Sequence, residues 1–172
     1  MKASKELGTN MQSVLVDLLE LQLQGKQAHW NVVGKNFRDM HRQLDEIIDA
    51  ARALSDQVAE RMRALHVVPD GRSATVVAST SLAPFPSGEV STTRVVELVT
   101  AALDATVATA RGVHDQVDEE DPTTADLLHV VIEQLEQFSW MVSAENRDPR
   151  TDAEVKPATK AATKTSASSR KK

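Results

Sequence analysis

Five residues in the first third of the chain are of the types that hold metal ions: His29, His41, Asp45, Asp56 and Glu60. The last four share one helical face. At 100° per residue, Asp45 lies about 40° from His41, Asp56 about 60° and Glu60 about 100°. Their arc touches the apolar side at Leu44 and Ile48. Burying two acids and a histidine there is costly unless something positive sits among them. One subunit does not gather all four, because Asp45 and Asp56 stand about 16 Å apart along a helix axis. The spacing nevertheless carries a symmetry: the midpoint of 41 and 60 is 50.5, and so is the midpoint of 45 and 56. Two antiparallel copies of the helix, related by a two-fold axis near Ala50 and Ala51, would set His41 and Asp45 of one chain opposite Asp56 and Glu60 of the other. That pairing is isologous and gives two equivalent sites per dimer. Small residues at the centre, Ala50, Ala51 and Ala53, would permit close approach. His29 is the natural fifth group, since the interval to His41 spans a short turn. Imidazole nitrogen with carboxylate oxygen suits iron, zinc or manganese. Few protein ligands with open positions suit redox iron chemistry better than a closed structural ion. Taken singly, the same residues also fit an ordinary i, i+4 pair and a solvated acidic face.

The elements that must position these groups are long helices. Apolar residues repeat at three and four over 4–31 (Leu15, Leu18, Leu19, Leu23) and over 36–66 (Met40, Leu44, Ile47, Ala51, Leu54, Val58, Met62). Gly34 stops the first, and Pro69-Asp70-Gly71 follows the second. A connection over 72–90 has room for a short helix near 74–79 before Pro84 and Pro86. A third long helix is expected over 91–120 with Ser91 as its N-cap, and a fourth over 123–146 after Asp121-Pro122. The expected fold is all-α: a four-helix bundle whose long crossover lets the second and third long helices run parallel. One domain, 1–150, accounts for this, and 151–172 reads as a disordered basic tail.

Composition narrows the chemistry. The chain has 172 residues and no cysteine, which excludes a disulfide scaffold, a thiol nucleophile, an iron–sulfur cluster and a Cys-type zinc site. It has no Gly-rich phosphate loop. No secretory signal opens it and no apolar run is long enough to span a bilayer, so a cytoplasmic protein without a membrane partner is expected. The net charge of −5 is uneven. Residues 155–172 carry Lys156, Lys160, Lys164, Arg170, Lys171 and Lys172 and no acid; the remainder holds 14 basic and 25 acidic residues, or −11.

The stretch KQAHWNVVGKNF, followed by His41, Asp45, Asp56 and Glu60, resembles the small ferritins of the DNA-binding protein from starved cells (Dps) family. The pattern H-x11-H-x3-D-x10-D-x3-E is met at every position, and TADLLHVVIEQLEQFSWM, 124–141, resembles the family's last helix. The resemblance covers roughly residues 5–147. It implies a ferritin-like four-helix subunit and a hollow homo-dodecamer built from two-fold dimers. It also implies ferroxidase centres, di-iron or mono-iron, with His29, His41 and Asp45 from one chain and Asp56 and Glu60 from the other. The family oxidises Fe(II), usually preferring hydrogen peroxide to dioxygen, stores Fe(III) mineral and so protects DNA.

By the same resemblance Trp30 sits beside the iron and donates an electron to trap radicals; the sequence equally admits a packed core aromatic. Asp121 and Asp126 correspond to acids lining the pores through which iron enters. Such a ring focuses cations, although acids near a helix N-terminus also stabilise the helix. Asp118, Glu119 and Glu120 would extend the funnel. Glu46 and Asp49 face the cavity and seed mineral on this reading. His66, His114 and His129 join no ligand series, and no Glu-x-x-His occurs, against a di-iron site inside one subunit. The family's DNA-binding arm is usually N-terminal; here the N-terminal arm has only Lys2 and Lys5, and the basic segment is at the other end. Its six cations suit non-specific contact with DNA phosphates, and no aromatic residue interleaves them for base reading. Solubilising the shell or supporting its assembly are the other roles open to the tail. Three functions are therefore in play: an iron-oxidising and iron-storing shell, chiefly a nucleoid-compacting DNA-binding protein with minor iron chemistry, or a peroxide-insensitive zinc or manganese binder.

Overall fold

The computed structural model describes residues 1–148. The first long helix, α1, spans Lys5–Asn31. A two-residue strand β1 (Val32–Val33) leads into α2 (Phe37–Ala64), and a short helix α3 (Ser73–Ser79) lies in the connection that follows. Strand β2 (Val90–Ser91) then opens α4 (Thr92–Glu120), and α5 (Pro122–Ala144) closes the bundle. All four long helices fall within two residues of the ranges expected at each end. Ser4 and Ser91 cap α1 and α4 by accepting from the amides of Leu7 and Arg94, satisfying donors a helix start leaves unpaired. Pro122 takes the first position of α5, where its missing N–H costs nothing.

The strand pair is the one element that periodicity did not indicate. β1 and β2 pair in parallel, Val32 with Val90 and Val33 with Ser91. Each strand leads into a long helix, so the pair brings the starts of α2 and α4 to one end of the bundle. The opposite end is tied by Ala3, whose amide donates to the Leu65 carbonyl at 3.1 Å, and by Ser4, which donates from N and Oγ to Glu120 at 2.7 and 2.6 Å. α2 and α4 therefore run parallel, as the long crossover required.

Asp17 pins that crossover. It is 1 % exposed and accepts from Thr80 Oγ1 (3.0 Å), Ser81 N (2.8 Å), Ser81 Oγ (2.6 Å) and Thr109 Oγ1 (2.6 Å). Four donors offset the cost of taking a carboxylate out of water. Beneath it, Leu18, Leu21, Leu44, Ile47, Leu54, Leu103, Leu128 and Leu135 form a continuous core shared by all four long helices.

Candidate metal centre

His29, His41 and Asp45 of the predicted constellation lie next to one another within one subunit, without converging on a single point. The His29 and His41 rings stack with centroids 3.6 Å apart and planes at 23°. Each histidine directs Nδ1 at the other's backbone carbonyl: His29 Nδ1 to His41 O at 2.9 Å, and His41 Nδ1 to His29 O at 2.9 Å. A carbonyl only accepts, so both Nδ1 atoms carry the proton and both Nε2 atoms keep a lone pair when the rings are neutral. That is the arrangement by which a second hydrogen bond sets the tautomer of a metal-binding histidine. Asp45 adds an oxygen, its Oδ1 lying 3.3 Å from His29 Nδ1.

Two residues that the ligand spacing does not single out hold this half-site together. Lys26 Nζ donates to Asp45 Oδ1 at 2.7 Å. This hydrogen bond holds the Asp45 carboxyl below the usual carboxylate range; burial opposes it, and the nearby His29 adds to the lowering. Lys26 is thus a positive group beside a half-exposed carboxylate, and it competes with any ion for Asp45. It lies three positions before His29, on the same helix face, a signal available in the sequence. Gly25 is the second. A Cβ built there would lie 2.7 Å from Ile48 Cγ1. Only a residue without a side chain lets α1 come this close to α2, and that closeness allows the two rings to stack. An isolated glycine inside a helical pattern is the only trace of this in the sequence, and it does not say what the glycine packs against.

The second half-site stands apart. Asp56 and Glu60 are exposed on α2. Among the described residues, no three His, Asp or Glu side chains of one chain converge on a single point. Asp56 lines a groove of about 650 Å³ between α1 and α2, together with Asp49, Arg52 and Ala53. Ala51, expected at an intersubunit contact, is instead fully buried in its own bundle. It follows Ile48 by one helical turn, on the face that packs inward, so it does not also meet a partner. Ala50 is buried too; of the three alanines Ala53 is the exposed one.

Trp30 is 71 % exposed, which removes the core-aromatic alternative. The two acids named for the pore differ. Asp121 is buried, and accepts from Arg61 Nη2 at 2.5 Å and from the Thr124 hydroxyl. Burial pushes its pKa up, but the hydrogen bonds from Thr124 and Arg61 outweigh it and leave the carboxyl below its ordinary value. Its charge is engaged inside the subunit, whereas Asp126 is exposed. Glu120 is likewise engaged, at the start of α1. Glu46 and Asp49 are exposed on α2. Lys156, Lys160, Lys164, Arg170, Lys171 and Lys172, and the boundary at 150, lie outside the described residues.

Four long helices with a parallel crossover define a ferritin-like domain, and the family model of that description matches residues 9–150. The chain is 33 % identical over 142 residues to DNA protection during starvation protein 2 of Deinococcus radiodurans, covering 83 % of this chain and 59 % of that one. It is 30 % identical over 147 residues to the DNA protection during starvation protein of Mycolicibacterium smegmatis, covering 83 % and 78 %. Among solved structures, Dps92 from Deinococcus radiodurans superposes with a TM-score of 0.79 at 33 % identity, over 81 % of this chain and 85 % of that one. Dps from Microbacterium arborescens in the high iron form gives 0.78 at 29 %, over 84 % and 97 %. Within the ferritin-like class, the chain belongs to the DNA protection during starvation (Dps) family.

Proposed function

We propose that this chain is an iron-oxidising and iron-storing subunit whose catalytic centre is completed by a second copy. The observation that carries the reading is the His29–His41 stack: each Nδ1–H is held on the other's carbonyl, which leaves two Nε2 lone pairs, and the Asp45 carboxylate lies 3.3 Å from His29 Nδ1. Three ligands leave an iron ion under-coordinated, and Asp56 and Glu60, exposed on the same helix, are the complement a two-fold partner would bring. Fe(II) is the substrate, bound as one or two ions per centre. Each Fe(II) gives up one electron; two of them reduce one hydrogen peroxide, the O–O bond breaks, and both oxygens end as oxide or water without hydroxyl radical. Peroxide is the preferred oxidant over dioxygen. Lys26 would release Asp45 as the ion arrives, and Trp30, exposed and next in sequence to His29, would supply an electron when a single iron reacts.

Twelve subunits, joined as two-fold dimers, would enclose the Fe(III) mineral. On this reading Asp126 draws Fe(II) through the pores while Asp121 shapes their rim from within. Glu46 and Asp49 are the nucleation candidates. The tail, 151–172, binds DNA phosphates non-specifically, which would hold the cytoplasmic shell on the nucleoid.

The test is stopped-flow absorbance of Fe(II) oxidation with peroxide or air, by the intact protein and by an Asp56→Ala/Glu60→Ala variant. Rapid peroxide-dependent oxidation should fall by roughly a hundredfold or more in the variant, the scale on which loss of metal-supporting groups acts, while DNA retention stays unchanged. An equal rate would refute the shared centre and favour the chiefly DNA-compacting reading. Removal of 152–172 should do the reverse, abolishing DNA retention and leaving oxidation intact.

A further inference from the structure

Two histidines that joined no ligand series meet in the fold. His114 on α4 and His129 on α5 place their ring centroids 4.5 Å apart with planes at 33°. They line an open pocket of about 410 Å³ that also holds Arg111, Asp115, Glu133 and Glu136. Arg111 is engaged by Glu136 at 2.5 Å, so the pocket's one arginine is neutralised and Glu133 remains. Glu133 stands four residues after His129, on the same face of α5.

The ring nitrogens are not equivalent. His114 Nδ1 lies 3.1 Å from Asp115 Oδ1 and donates to it, since a carboxylate only accepts. Its Nε2 then carries the lone pair, and this atom is buried with no hydrogen-bond partner. A buried acceptor without a donor is a cost that a folded chain rarely carries without reason. His129 Nδ1 faces Asp126 at 3.8 Å. A carboxylate hydrogen-bonded behind an imidazole, as Asp115 is behind His114, is the arrangement that orients a histidine towards a metal; the longer His129–Asp126 separation leaves the second ring free to turn. Two imidazoles bound at about 2.0–2.1 Å on one ion, at roughly a right angle or a little more, have centroids about 4.5–5 Å apart. The observed separation falls at that edge.

We propose that His114 and His129 form a second divalent-metal site, on the α4–α5 face, for a borderline ion of the zinc or iron(II) kind. His114 Nε2 and His129 Nε2 are the fixed ligands, Glu133 is the third, and Asp115 is a positioning residue. Among the described residues no three such side chains already converge; Glu133 is exposed, and the ion would draw its carboxylate onto the pair. Helices α1 and α2, which carry His29 and His41, supply nothing to it.

Zinc alone is the probe. Calorimetric titration of the full-length protein with zinc chloride should find one more zinc per chain than in His129→Ala or His114→Gln. His29→Ala/His41→Ala should keep this zinc while losing another. Asp115→Asn should weaken the site by roughly 10–100-fold, and Fe(II) oxidation by His129→Ala should be unchanged. His129 is mostly exposed, so its replacement leaves a folded protein to measure. Equal zinc stoichiometry and affinity in the intact protein, His129→Ala and His114→Gln would overturn the proposal.

Discussion

His29 and His41 stack at 3.6 Å and are held by each other's backbone; His114 and His129 sit at 4.5 Å and face exposed carboxylates, at 3.1 and 3.8 Å. In the first pair the tautomer is set by carbonyls that cannot move without moving two helices. In the second only His114 has a hydrogen-bonded acceptor, the Asp115 carboxylate on the surface, and His129 has none. The contrast teaches how rigidity is obtained. Backbone acceptors are fixed by the helices that carry them, so the first pair is organised before any ion arrives, whereas the second would tighten only on binding.

The largest way to break the contrast is at Gly25. Gly25→Val would drive a side chain into Ile48 and separate α1 from α2, costing about 1–3 kcal/mol of stability as overpacking does. Iron oxidation should drop with it while zinc binding at His114 and His129 survives, read by thermal melting beside both activities. Loss of both sites together would show that the two regions are not independent.

Acid should act next, at the end of the bundle nearer the second pair. Asp121 has a lowered folded-state pKa. The stability it contributes is therefore complete above its ordinary value of 3.8 and is lost as pH falls through the lower folded value. Arg61→Met should lower the melting temperature at neutral pH and flatten its fall below about pH 4. A variant whose acid limb stays as steep as the parent's would dissociate Asp121 from that limb.

Lys26→Met should have the smallest effect and sharpen the contrast most. Without the ammonium, the Asp45 carboxyl moves back up towards its ordinary range, and Fe(II) no longer competes with an internal cation. Fe(II) affinity measured at neutral pH, where Asp45 stays ionised, should rise a few-fold, and zinc at the second pair should not change.

Much of the candidate site was legible because helical spacing is a ruler. His41, Asp45, Asp56 and Glu60 occupy one arc whatever the helix packs against, and their common midpoint is the one a two-fold pairing of this helix would need. The helix ranges were legible for the same reason, with Ser4 and Ser91 as caps. Lys26 and Gly25 were visible as letters but not as roles, since each acts across an interface between helices. Asp121 looked like a surface acid near a helix start; its burial against Arg61 depends on a separation of 60 residues being closed at the same end of the bundle.

The sequence by itself determined the ligand types, their spacing, the helix boundaries and the split between an acidic body and a basic tail, because these depend on residues close together along the chain. The tertiary structure decided which nitrogens are free to bind, which acids are already engaged, and that His114 meets His129. Those outcomes depend on how closely helices distant in sequence approach, and that distance is set by packing: by Gly25 against Ile48, by the β1–β2 pair, and by four donors converging on Asp17.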